Sequence, residues 1–226
     1  PPGAAAGGKG RGMQVDLRVA QLLSSRLCHD LVGPIGAVNT GLELFQEGFD
    51  DDEKALGLVA DSAGEASRRL TFFRGAFGFG AGDKGEATLN EARNLAVGLL
   101  ASGKVALDWP EDADASLQTS AVKVILNMVL MASESLPRGG AVGIDFAVLD
   151  EGLGVAVTAT GEDARLREDL QSALAEGAAA EDLTARNVHG YFAQCLARDS
   201  GALIEHSRGL GGEIRFAVMF PPATDC

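Results

Sequence analysis

From Asp16 to about Gly48 the chain carries one unbroken helical pattern, and this pattern restricts the possible folds more than any other stretch. Leu27, Leu31, Ile35, Val38, Leu42 and Phe45 follow one another in steps of three and four. At about 100° per residue they form a stripe roughly 80° wide, which is a bundle seam rather than one face of a strand. Asp16 is placed to cap the helix start. A second helix is predicted from the acids Asp50, Asp51 and Asp52, which suit the positive end of a helix dipole. Its stripe runs through Leu56, Val59, Ala63, Ala66, Leu70, Phe73 and Phe77. Two such helices, each about 25 to 30 residues long and joined by a turn near Gly48, make an antiparallel hairpin. A hairpin alone does not bury both stripes. Pairing with a second copy into a four-helix bundle is therefore expected, the alternative being a hairpin packed on the rest of its own chain.

One histidine, His29, lies about 165° from the middle of the first stripe, at 100° per residue. Its neighbours on that outer face are Leu22, Ser25, Arg26, Val32, Gly33, Gly36 and Thr40. Leu22 and Val32 stand where a solvated helix carries charges. Gly33 and Gly36 each cost the helix about 1 kcal/mol relative to alanine, a sacrifice that makes sense where something must approach closely. Pro34 removes a backbone donor and is expected to bend the helix just after the histidine. The plainest alternative is an exposed histidine beside a kink.

Composition narrows the partners. Nineteen basic residues against 32 acidic ones give a net charge of −13, which disfavours a nucleic-acid binder, since a phosphate backbone requires a basic patch. The cysteines Cys28, Cys195 and Cys226 are odd in number and share no metal-ligand spacing, so they read as reduced thiols. No apolar run approaches the roughly 18 residues that span a bilayer. A cytoplasmic protein with no membrane contact is expected. Residues 1–15, rich in Gly and Ala, read as a flexible leader, with Met13 a candidate start. The glycine-rich stretch from Gly75 to Gly85 reads as a linker; it follows a helix and has no Lys-Ser or Lys-Thr ending, which argues against a phosphate loop.

From Glu86 onward helices and strands alternate. Helices are predicted over Leu89–Ala101, Leu117–Leu136 and Ala185–Arg198, with a short alanine-rich one before the last. Strands are predicted over Lys104–Asp108, Ala141–Leu149, Val155–Thr160, Leu203–His206 and Glu213–Phe220. This is an α+β sandwich with helices on one side of a mixed sheet. The expected division is a helical hairpin over 16–80 and a second domain over 86–226. His189 and His206 read as ordinary histidines.

Specific motifs support a resemblance. His29, Asp30, Leu31, Pro34 and Ile35 resemble the phosphoacceptor box of two-component histidine kinases, whose hairpins dimerise. VKVILNMVLMASESLPRGGAVGI resembles the asparagine box of GHKL-type ATPase domains, with Asn127, Pro137, Gly139 and Gly140 matching. The asparagine that ligates magnesium in those ATPases is Met131 here, and a thioether does not replace an oxygen ligand for a hard cation. The adenine-binding aspartate falls on Ala159, leaving Gly161, and the last glycine box keeps Gly190 alone. The whole of residues 16–222 resembles the ChpT-type histidine phosphotransferases of alphaproteobacterial phosphorelays.

That resemblance implies a GHKL-like second domain that binds no cofactor, and a phosphohistidine carrier acting in a homodimer. It implies His29 as the phosphoryl carrier and Asp30 as the carboxylate that orients it, with Leu22, Arg26, Val32, Gly33 and Gly36 as the docking face. The implied partners are the receiver domain of a CckA-type hybrid histidine kinase and response regulators of the CtrA and CpdR type. Magnesium would be held in the receiver's aspartate pocket. Gly33, where family members that assist dephosphorylation carry Thr or Asn, implies weak phosphatase activity. An active soluble histidine kinase and a non-catalytic receiver-binding adaptor remain alternatives.

Overall fold

The structure is a computed structural model that describes residues 16–47, 52–78, 86–110 and 116–222. The expected leader, the turn at Gly48 and the acids Asp50 and Asp51 lie outside these residues. Helix α1 spans Leu17–Gln46, and the Asp16 side chain caps it by accepting from the Arg18 backbone N–H at 2.8 Å. Helix α2 spans Asp52–Phe77. The two pack along their length as an α-hairpin, and Gly41 lies in their contact. A Cβ there would stand 2.7 Å from Val59 Cγ2.

The predicted stripes are buried only in part: Ala66, Phe73 and Phe77 of α2 are buried, but several larger members of both stripes are not. In α1 the buried residues are Val19, Leu23, Arg26 and Gly41. Ile35, Leu42, Phe45, Leu56 and Leu70 remain 41% to 50% exposed. Around Gly41 the hairpin closes on small residues, Gly41 against Ala55 and Val59, and the larger Leu42, Phe45 and Leu56 nearby stay exposed.

The second half follows the expected order closely. Strand β1 (Glu86–Thr88) leads into α3 (Leu89–Leu100), then β2 (Val105–Asp108), β3 (Ser116–Gln118) and α4 (Thr119–Glu134). Strands β4 (Gly140–Leu149) and β5 (Gly152–Thr160) precede α5 (Glu168–Leu174), a 3₁₀ turn at Ala180–Asp182, and α6 (Val188–Asp199). Strands β6 (Ile204–Arg208) and β7 (Ile214–Phe220) complete the sheet. Its order is β2-β4-β5-β7-β6, parallel between β2 and β4 and antiparallel elsewhere. The small antiparallel pair β1–β3 escaped the sequence reading, because three-residue strands show no periodicity. Thr88 ends β1 and also caps α3 in a capping box with Glu91.

The expected linker begins too early, and the core is shared across it. Gly75, read as the start of a linker, lies inside α2, where a Cβ would come 2.6 Å from Leu95 Cδ1 on α3. The hydrophobic core also crosses the boundary. Val19, Leu23, Phe72, Phe73 and Phe77 of the hairpin join one cluster with α4, α6 and the sheet. Phe77 stacks on Phe73 at 5.3 Å and meets Phe192 of α6 edge-on at 6.2 Å. The hairpin is thus rooted at its base in the second domain, while its far end carries the exposed Leu42, Phe45 and Leu56.

Candidate functional site

Helix α1 runs through Pro34 without a break. Proline has no N–H to donate to the carbonyl four residues earlier, which here is that of Asp30. Beside this gap stands His29, its side chain 82% exposed. Its Nδ1 lies 3.2 Å from Asp30 Oδ1. A carboxylate only accepts, so this contact places the imidazole proton on Nδ1 and leaves Nε2 bare toward solvent. A groove of about 430 Å³ opens here, lined by His29, Asp30, Gly33 and Pro34 of α1 and by Ser62, Glu65 and Arg69 of α2. Arg69 pairs with Glu65 at 2.8 Å within it.

The other oxygen of Asp30 leads inward. Oδ2 accepts from Arg26 Nε at 3.0 Å, one helical turn away. Arg26 is 7% exposed. Its Nη2 donates to Glu134 Oε1 at the end of α4. Its Nη1 donates to the Arg186 carbonyl at 3.2 Å and lies 3.1 Å from His189 Nδ1 on α6. Arginine has no acceptor, so His189 Nδ1 must accept, and its remaining proton sits on Nε2. That Nε2 lies 3.4 Å from Glu134 Oε2. Arg167 closes the cluster at 3.6 Å from Glu134 Oε2, while donating to the Arg186 carbonyl at 2.6 Å. Burial pushes the Glu134 carboxyl upward, but His189 and Arg26 outweigh it and bring its pKa down to about 2. For Arg26 burial again opposes the charge, and Glu134 and Asp30 prevail, raising its pKa.

The expected docking face is therefore divided. Val32 is 69% exposed, and Gly33 and Gly36 face open space, with no heavy atom within 4 Å of where a Cβ would stand. Leu22 is partly buried and packs on the core cluster. The reading of Arg26 as a docking residue needs correction. Helical phase puts it on the outer face, but the second domain covers that part of the face and engages both terminal nitrogens of the guanidinium. Glu134 and His189 join the site instead, although the sequence pattern marks His189 as an ordinary histidine and does not point to Glu134. The one signal for Glu134 was an acid closing the apolar helix VILNMVLMASE, at the end where the dipole disfavours it.

The residues matched above to the ATPase-like boxes have structural surroundings of their own. Asn127 is fully buried and donates to the Ala76 carbonyl at 3.2 Å, tying α4 to the end of α2. Gly139 and Gly140 adopt φ of +88° and +145°, which side chains rarely tolerate. Met131 and Ala159 are fully buried. At Gly190 a Cβ would stand 2.5 Å from Leu170 Cδ1 and 3.5 Å from Met131 Sδ, so apolar side chains are packed against this glycine.

The histidine phosphotransferase C-terminal domain family matches residues 89–209. The chain belongs to the histidine phosphotransferase family, and its activity is that of a phosphotransferase in a phosphorelay. It is 35% identical to the protein phosphotransferase ChpT of Brucella abortus (strain 2308), over 83% of this chain and 89% of that one. It also superimposes on the 1.7 Å structure of a bacterial phosphotransferase with a TM-score of 0.80 and 33% identity, covering 92% of this chain and 98% of the other. Among the described residues no helix is long and apolar enough to cross a membrane.

Proposed function

We propose that His29 takes a phosphoryl group from the aspartyl phosphate of one receiver domain and hands it to the aspartate of another. The observation that carries this reading is the Asp30 carboxylate on Nδ1 of an exposed imidazole, which leaves Nε2 free at an open groove. In the first step Nε2 attacks phosphorus, the P–O bond to the receiver's carboxylate breaks, and that carboxylate leaves. In the second step a receiver carboxylate attacks, the P–N bond breaks, and Nε2 is released. Magnesium for both steps belongs to the receiver's pocket. Val32, Gly33 and Gly36 form the docking surface, with bare glycine backbone allowing a partner helix to approach closely.

Three further elements complete the proposal. The exposed Ile35, Leu42, Phe45, Leu56 and Leu70 support a homodimer, because a second hairpin would cover them. The packing of Leu170 and Met131 against Gly190 supports a second domain that takes no nucleotide. The family resemblance supports a CckA-type hybrid kinase as donor, CtrA- and CpdR-type regulators as acceptors, and a cytoplasmic setting. The test is transfer from a purified phosphorylated receiver to the wild type and to His29→Ala. Labelling of the wild type and none of the variant is expected. Labelling of His29→Ala, or rapid labelling of wild type by ATP alone, overturns the proposal.

A further inference from the structure

The retained second domain touches the phosphoacceptor helix through a chain of contacts, and their geometry runs in one direction. Glu134 and His189 converge on the buried guanidinium of Arg26. Arg26 Nε reaches Asp30 Oδ2 at 3.0 Å, and Asp30 Oδ1 faces His29 Nδ1 at 3.2 Å. Each contact also settles the use of the next group. With Nη1 and Nη2 committed to the second domain, Arg26 has Nε left for Asp30. With Oδ2 held by Arg26, Asp30 presents Oδ1 to the imidazole.

We propose that Glu134 and His189 are positioning residues for phosphoryl transfer at His29, acting through Arg26 and Asp30 to hold the imidazole in the tautomer whose Nε2 attacks. The inference rests on the reading of His29 as carrier and adds to it a task for the ATPase-like domain that involves no nucleotide. An isolated hairpin would leave Arg26 in water, where a flexible guanidinium pairs weakly with an exposed carboxylate four residues on. Here Arg26 is locked from three sides, so Asp30 is held where His29 needs it.

The experiment uses the full chain and two readouts. The first is the ¹⁵N chemical shifts of the His29 ring, which report which nitrogen carries the proton. The second is the rate of labelling by potassium phosphoramidate, a small donor in which the P–N bond to the leaving ammonia breaks as the bond to Nε2 forms. In wild type the neutral ring is expected to carry its proton on Nδ1. In Glu134→Gln the two tautomers mix as in free imidazole, and labelling slows by about tenfold. Arg26→Lys keeps a positive charge against Glu134 but has no second arm to reach Asp30. It is expected to fold and to show the same two changes, so the test survives if Glu134→Gln fails to fold. A wild-type ring with its proton on Nε2 overturns the inference, as do variants whose labelling slows with unchanged nitrogen shifts, or does not slow. Label that persists in His29→Ala overturns instead the reading of His29 as carrier.

Discussion

Glu134, the last residue of α4, clasps Arg26 of α1 across 108 positions of sequence, with one carboxylate oxygen on the guanidinium and the other turned toward His189. Breaking such a pair from one side strands a buried charge, which is why its two halves are energetically coupled.

This coupling has a pH signature. The folded-state pKa of Glu134, about 2, lies below the ordinary 4.5. A depressed acid contributes stability above its unfolded value and loses it as pH falls through the folded one. The stability advantage of wild type over Glu134→Gln should therefore be full above pH 4.5 and shrink toward pH 2. The charged and titratable groups facing Glu134 are Arg26 from α1, His189 from α6 and Arg167 from the segment before α5. Urea unfolding of both proteins across that range measures the difference. An advantage that is constant with pH would contradict the assignment.

Gly36 lies on an exposed helical face with nothing near its missing Cβ. Gly36→Leu should stabilise α1 by about 1 kcal/mol, from propensity alone. The same leucine obstructs the proposed docking surface, so transfer from a phosphorylated receiver should fall about tenfold or more. Labelling of His29 by phosphoramidate should stay unchanged. Thermal melting and the two transfer assays read these effects separately.

Leu42 and Phe45 stay exposed at the hairpin end far from the second domain. If a second copy covers them, Leu42→Glu buries an unpaired carboxylate in that seam and separates the chains. Sedimentation equilibrium should give the mass of two chains for wild type and of one chain for Leu42→Glu. The far-ultraviolet circular dichroism of the two should match.

Phe77 joins the hairpin to α6 through its contacts with Phe73 and Phe192. Phe77→Ala should cost about 3–5 kcal/mol, the range for removing a buried aromatic ring. Because the core crosses from hairpin to sheet, unfolding should remain one transition when followed by circular dichroism and by Trp109 fluorescence. Two separated transitions would mean that the hairpin and second domain fold independently.

Much of this architecture was legible in the chain. The spacing of Leu27 through Phe45 marked a helix, and the alternation after Glu86 marked the α+β domain. Local patterns determine such features, because helix period, strand alternation and residue chemistry are properties of neighbours in sequence. The adjacency of His29 and Asp30 was legible for the same reason.

What the helical pattern did not contain was the surroundings of each face. Helical phase puts Arg26 and Val32 on one side of α1, yet Arg26 is buried and Val32 is exposed. The second domain covers the first turns of α1 and stops short of Val32. The same holds for Glu134 and His189, whose shared contact with Arg26 joins residues more than 100 positions apart. The sequence alone thus determined the helix, its outward histidine and the adjoining acid. Only tertiary packing decided that Arg26, which holds Asp30, is itself held by another domain, because long-range pairing depends on how finished elements dock and leaves no period in the chain.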